Sequence, residues 1–219
     1  MQVSGIILIA GSSSRYNKGY NKNLELINNR PIFMYSVEVM NRIKEINEII
    51  LVIKKEEENI IKDYIKDNNK VKIVYGGSSR KESVYKGLIK TNNDIVIIHD
   101  GARPLIKEEY LKDCLKYIKE YNGVVIGVPV KDTIKIIDEN NIVIESTNRN
   151  STWISQTPQC FKKDILLELH KKYLDDESIT DDSILLEKEG IKVKMIKGSY
   201  TNIKLTTKED LIYIKSLIY

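Results

Sequence analysis

The stretch Val3-Ser4-Gly5-Ile6-Ile7-Leu8-Ile9-Ala10, closed by Gly11, is an almost continuous apolar run rich in β-branched residues. It lacks the in-and-out alternation of a strand with one wet face, so it reads as a strand buried on both faces. Its apolar heart, Ile6–Ala10, is too short to span a membrane or to serve as the hydrophobic region of a signal peptide. A strand of this kind needs helices above and below it, and the following sequence supplies them.

Pro31–Ile43 places Ile32, Phe33, Tyr35, Val39, Met40 and Ile43 at helical spacing, with a proline at a permitted early position. Ile49–Ile53 reads as a second strand, Glu57–Asn68 as a second helix, and Val71–Tyr75 as a third strand closed by Gly76-Gly77. A helix over Lys81–Lys90, a strand over Ile95–Ile98, a helix over Glu108–Tyr121 and a strand over Val124–Val130 continue the alternation and complete the expected sheet. The pattern predicts an α/β fold of three layers, with a mostly parallel sheet between helices. Ligands of such sheets bind beyond the carboxyl ends of the strands, which puts Gly11–Lys22, Gly76–Ser83 and Asp100–Pro104 on one rim.

From Thr133 to Arg149 the rhythm changes. Lys135-Ile136-Ile137-Asp138 and Ile142-Val143-Ile144-Glu145 flank a polar Glu139-Asn140-Asn141 turn, the pattern of two short paired strands. Such a hairpin has little core of its own and reads either as a surface ribbon or as a dimerisation arm. No linker, repeat or low-complexity tract divides residues 1–219, so one domain is expected.

Composition narrows the function classes. Hydrophobic residues make up 42% and charged residues 30% of the chain, enough for a core and unlike a disordered segment. The net charge of +4 comes from 35 basic and 31 acidic side chains that alternate, as in Lys54-Lys55-Glu56-Glu57-Glu58. This is solvated helix surface, not the basic stripe of a nucleic-acid binder, although the excess favours phosphorylated ligands. Cys114 and Cys160 form no CxxC pair, which argues against zinc and disulfide scaffolds and for a reducing cytoplasm; Cys114 reads as a small buried hydrophobe.

Four segments carry candidate chemistry. Gly11-Ser12-Ser13-Ser14-Arg15 follows the first strand, where small residues let backbone amides approach a phosphate chain; Arg15 and Lys22 add cations. The segment is neither a Walker A loop nor a dinucleotide fingerprint, and a plain turn explains it equally well. Gly76-Gly77-Ser78-Ser79-Arg80 permits a tight strand exit, and Ser78 or Ser79 caps the next helix; a functional role asks Ser83 to face a base. His99-Asp100-Gly101-Ala102-Arg103-Pro104 sets a carboxylate at a buried strand's end, suited to a magnesium ion or a ribose hydroxyl. His99 reads as a structural donor, and Arg103 as a phosphate clamp or a loop anchor. The fourth group is C-terminal: Gln156-Thr157-Pro158-Gln159, Thr180-Asp181-Asp182 and Asn202-Ile203-Lys204. Thr180-Asp181-Asp182 looks like a helix start, as do Thr206 and Thr207 with Glu209 and Asp210 behind them. Lys204 lies in an apolar context and either snorkels to solvent or points into the site.

Taken in order, these segments resemble the 2-C-methyl-D-erythritol 4-phosphate cytidylyltransferases, from Ile6 to about Leu211. The family's first loop is similar to Ala10–Arg15, its lysine to Lys22, and its Gly-Gly-x-x-Arg-x-x-Ser-Val stretch to Gly76–Val84. Its His-Asp-x-Ala-Arg-Pro stretch is similar to His99–Pro104, and Val128–Lys135 resembles the lead into its arm. The resemblance implies a Rossmann-like nucleotidyltransferase fold with a protruding β-arm, and a homodimer formed by arm exchange. It implies a magnesium-dependent transfer of CMP from CTP to a sugar-alcohol phosphate, with pyrophosphate released.

By the same resemblance Arg15, Lys22 and Lys204 are catalytic, while Ala10, Gly11, Ser12, Ser13, Gly76, Gly77, Ser83 and Asp100 bind the nucleotide. Asp100 also serves magnesium. Arg103, Thr133, Arg149, Thr157 and Thr180 serve the acceptor phosphate, with Thr133 and Arg149 reaching a partner subunit. Two positions depart from the family. Ser13 replaces a glycine and would carry about a kcal/mol or more of strain where the loop requires a positive φ. Asn21-Lys22-Asn23 replaces Pro-Lys-Gln, which keeps the charge and loses the stiffening proline. The competing readings are a ribitol 5-phosphate cytidylyltransferase and a non-catalytic nucleotide-binding module on the same fold.

Overall fold

The protein is described by a computed structural model covering residues 1–11, 16 and 19–218. The opening apolar run forms β1 (Val3–Leu8), an inner strand of a seven-stranded sheet. After a small pair, β2 (Leu26–Ile27) and β3 (Arg30–Pro31), the chain enters α1 (Ile32–Arg42), then β4 (Ile46–Ile53) and α2 (Glu58–Ile65). β5 (Val71–Tyr75), α3 (Arg80–Leu88), β6 (Ile95–Asp100), α4 (Glu108–Tyr117) and β7 (Gly123–Pro129) follow as the alternation predicts, with ends displaced by a few residues.

The expected sheet ended there, but the observed one does not. Beyond a separate hairpin of β8 (Lys135–Ile137) and β9 (Val143–Ser146), the long β10 (Trp153–Lys162) inserts between β6 and β7. α5 (Lys163–Lys172), α6 (Ser183–Lys188), β11 (Val193–Lys197) and α7 (Lys208–Leu217) complete the described chain. The order is β11-β7-β10-β6-β1-β4-β5. β10 is antiparallel to both neighbours, and every other pairing in this sheet is parallel.

Strand alternation sorts the core into two layers. Ile7, Ile49, Leu51, Ile97, Val124, Ile126 and Cys160 face α1, α2 and α4, with Cys114 of α4 fully buried among them. Ile6, Ile50, Val52, Val96, Ile98, Val125 and Phe161 face α3, α5 and α6. A third cluster joins Leu205, Leu211 and Ile214 to Tyr16, Ile27, Ile32 and Ala102, which ties α7 to the rim of β1 and β6. The chain leaves β1 toward β4 and β5 and returns on its other side as β6. That reversal opens a crevice at the carboxyl ends of these strands, where doubly wound sheets take their ligands. Among the described residues no helix is long and apolar enough to cross a membrane.

Candidate active site

Three strand exits meet at that crevice. After β1, Ala10 and Gly11 reach the rim; after β5, Gly76 and Gly77 do so; β6 ends on Asp100 itself. Close approach accounts for Gly76: a Cβ there would lie 2.6 Å from Ala10 Cβ and 2.9 Å from Ser83 Oγ. At Gly101 a Cβ would meet Ile9 Cγ2 at 2.4 Å, so the β1 and β6 exits touch only because that residue is glycine. Ser79 caps α3, accepting from Glu82 N at 3.1 Å, and Ser83 Oγ accepts from Gly77 N at 3.0 Å.

The resulting cleft has a volume of about 290 Å³. Its described lining includes three cations, Lys22, Arg80 and Lys204, against one carboxylate, Asp100. Lys204 does not snorkel: its Nζ lies 2.7 Å from Asp100 Oδ2. Arg80 Nε approaches Asp100 Oδ1 at 3.5 Å, and Arg103 Nε lies 4.0 Å from Oδ2. Burial alone would raise the Asp100 carboxyl, but Arg80, Lys204 and Arg103 together hold it well below the ordinary carboxylate value. A carboxylate so surrounded stays ionised, and the cleft keeps a surplus of positive charge for an anion.

Behind Asp100 the backbone is pinned. Asp100 N donates to Thr157 Oγ1 at 3.0 Å, and Thr157 Oγ1 lies 2.9 Å from His99 Nδ1. Arg103 O, 3.1 Å from Nε2, can only accept, so Nε2 carries the ring proton and Nδ1 of the neutral imidazole accepts from the Thr157 hydroxyl. Burial pushes the His99 imidazolium down to about 4, in keeping with this neutral tautomer. Arg103 is largely buried and donates through Nη1 to Asn202 O at 2.7 Å, so its guanidinium anchors the strand exit to the Asn202–Lys204 segment. Asn202 Nδ2 in turn donates to Thr157 O at 2.9 Å.

The lysine loop is stiffened without proline. Asn21 Oδ1 accepts from Asn23 N at 3.0 Å, capping the 3-10 turn Lys22–Leu24, and Asn21 Nδ2 donates to Ile9 O at 2.6 Å and to Glu57 Oε2 at 2.8 Å.

Of the residues singled out in the sequence, Ala10, Gly11, Lys22, Gly77, Ser83, Asp100 and Lys204 line one cleft. Gly76 shapes it from behind. Ser12, Ser13 and Arg15 lie outside the described residues. Arg103 and Thr157 brace the cleft from its buried side. Thr133 and Arg149 are exposed on either side of the β8–β9 hairpin, and Thr180 is exposed ahead of α6; none of the three lines the cleft of this chain. The sequence expectation of a helix start at Thr180-Asp181-Asp182 holds for Asp181, whose carboxylate accepts from Ser183 N at 2.9 Å, but Asp182 makes no capping bond. It pairs instead with Arg80, a cleft residue that sequence reasoning passed over. Its signal was the arginine inside the Gly-Gly-x-x-Arg segment, directly after a serine cap.

The sequence profile of the 2-C-methyl-D-erythritol 4-phosphate cytidylyltransferase family matches residues 3–218. The enzyme of that name from Caldanaerobacter subterraneus subsp. tengcongensis is 43% identical over 220 residues, 97% of this chain and 96% of the relative. The one from Alkaliphilus metalliredigens is 41% identical over 220 residues, 96% of this chain and 90% of its own. The crystal structure of 4-diphosphocytidyl-2C-methyl-D-erythritol synthase from Anaerococcus prevotii superposes with a TM-score of 0.88 at 35% identity, covering 99% of this chain and 98% of that one.

Proposed function

We infer, because this chain belongs to the 2-C-methyl-D-erythritol 4-phosphate cytidylyltransferase family, that its cleft joins CMP from CTP to 2-C-methyl-D-erythritol 4-phosphate. The products are 4-diphosphocytidyl-2-C-methyl-D-erythritol and pyrophosphate, a step of non-mevalonate isoprenoid synthesis. The observation that carries this reading is the meeting of Lys22, Arg80 and Lys204 around Asp100 at the carboxyl ends of β1 and β6.

A phosphate oxygen of the acceptor attacks the α-phosphorus of CTP; the new P–O bond forms as the bond to the β-phosphate breaks, and pyrophosphate departs. The attacking phosphate is already ionised, so no base is required, and the task is to hold two anions together. Gly77 and Ser83 suit the base, and Asp100 the ribose. Lys22 and Lys204 neutralise phosphate charge, with Arg15 assigned the same task by the family resemblance. Lys204 is held on Asp100 by an ion pair, so an incoming triphosphate competes with that carboxylate for the ammonium.

Among the described residues no group of three or more His, Cys, Asp or Glu side chains is arranged to hold a metal ion. One carboxylate plus substrate phosphates is the usual magnesium environment, and Asp100 supplies that carboxylate once Lys204 turns to the nucleotide. Bound there, magnesium would offset charge on the phosphates. Thr133 and Arg149, which this chain does not bring to its own cleft, fit service to a partner's acceptor phosphate in a homodimer that exchanges its β8–β9 arm, and Thr180 is assigned to the acceptor phosphate by the family resemblance. The two free, buried cysteines suit a cytoplasmic protein.

The test is pyrophosphate release with CTP and Mg²⁺, offering methylerythritol phosphate or ribitol 5-phosphate. Turnover with the first and little with the second is expected; product from ribitol 5-phosphate alone would overturn the reading. A Lys204→Ala variant should lose about 10²- to 10³-fold in kcat, the range for removal of one charge-stabilising group. Its affinity for CTP should change far less.

A further inference from the structure

Behind the cleft lie two buried polar groups, His170 and Asp182, that neither substrate needs to touch and that back its charged residues. His170 of α5 is 1% exposed, and its Nε2 lies 3.0 Å from Asp182 Oδ1. Asp182, 1% exposed just before α6, accepts from Arg80 Nη1 on its other oxygen at 2.7 Å. Arg80, in the first turn of α3, lines the cleft and points Nε at Asp100 Oδ1, 3.5 Å away. Asp100 carries Lys204 on its second oxygen. One continuous series therefore leads from His170, in the layer of Leu166, Leu169, Leu185 and Leu186, to the cation of the cleft.

Stability does not explain this series. An ion pair taken out of water repays its desolvation poorly, and apolar side chains of equal volume would serve that layer as well. Helix capping does not explain it either, since Asp181 takes the Ser183 amide and Asp182 is left to Arg80. What the series does is fix directions. A guanidinium engaged on two edges by two carboxylates cannot turn about its long axis, whereas a lysine could not hold both. His170 engages the remaining Asp182 oxygen, so that carboxylate cannot rotate away.

We propose that Asp182 and His170 are positioning residues for nucleotidyl transfer, fixing the Arg80 guanidinium and through it Asp100 and Lys204. The proposal rests on the cytidylyltransferase reading above. Neither residue meets CTP or the acceptor; both set the geometry that the nucleotide finds on arrival.

A double-mutant cycle tests it, with kcat and KM for CTP measured on purified full-length protein. Asp182→Asn should lower kcat/KM about 10- to 100-fold, as loss of an outer partner of a functional group commonly does. In an Arg80→Met background the same change should cost less than about threefold, because the group it orients is gone. A merely structural role predicts the same loss in both backgrounds, and that result, or no loss at all, overturns the proposal. His170→Gln keeps a donor for Asp182 and should stay within about threefold of wild type, whereas His170→Leu should fall about tenfold or more. Equal activity of these two variants overturns the proposal even where Asp182→Asn does not fold, as judged by circular dichroism and Tm. Absence of turnover in the wild type with every acceptor would count against the cytidylyltransferase reading itself, a failure distinct from either.

Discussion

His99 has no water to share its charge, since it is fully buried and both ring nitrogens are engaged by Thr157 and Arg103. Its imidazole titrates near 6.5 when the chain is unfolded and is pushed down to about 4 when folded. Between those values the unfolded chain holds the extra proton, so stability is full above pH about 6.5 and falls as pH drops toward 4. Urea unfolding should therefore show a loss of about 2 kcal/mol from this residue between pH 7 and pH 5. A His99→Asn variant should lower overall stability but show a flatter dependence over that interval; an unchanged slope would contradict the assignment. At the same scale Lys204 illustrates what sequence could and could not settle. Its apolar setting left two directions open, and only the spatial return of Asn202–Lys204 against Arg103 turns it toward Asp100. Arg80 was harder to read, because its partner Asp182 is 102 residues away and no local pattern links them.

Elements set these side chains through their ends. α7 begins four residues after Lys204 with Thr207 at its cap, where Thr207 accepts from Asp210 N and the Asp210 side chain answers the cap backbone. Thr207→Ala should cost about 1 kcal/mol in thermal unfolding. It should also raise KM for CTP, since the start of α7 holds the lysine segment in place. Asn21 plays the corresponding part for the Lys22–Leu24 turn, joining it to Ile9 and Glu57. Asn21→Ala should weaken CTP binding several-fold and also lower Tm, since a buried cap bonded to Ile9, Glu57 and Asn23 is lost, as measured by titration calorimetry and a melting curve. Caps and strand exits were legible because serine, threonine and glycine act on neighbours. β10 was not: its Gln156-Thr157-Pro158-Gln159 centre is polar and contains proline, which argues against an inner strand. The register shift between Ser155 and Gln159 accommodates the proline, and Gln156, Thr157 and Gln159 are buried on hydrogen bonds rather than by apolar character.

For the whole molecule, the hairpin of β8 and β9 carries Ile136, Ile137, Ile142, Val143 and Ile144, each 41–65% exposed. So much apolar surface on a two-stranded ribbon favours a covering partner, in line with the proposed arm exchange. Sedimentation should give a dimer, and an Ile136→Asp, Ile144→Asp variant should sediment as a monomer with little turnover; a fully active monomer would remove the arm from the mechanism. The parallel half of the sheet was plain from alternating apolar and amphipathic segments, whereas the proposed assembly would rest on surfaces that a single chain does not bury. The interior offers a different kind of readout. Cys114 and Cys160 are the only two cysteines, both unpaired and both fully enclosed between α4 and the sheet. A thiol-reactive dye mixed with native protein therefore meets no nucleophile, and every label it leaves marks a molecule whose centre has opened. The unaltered polypeptide thus keeps its own tally of unfolding excursions, so the rate at which colour develops would report how tightly each substrate holds it shut.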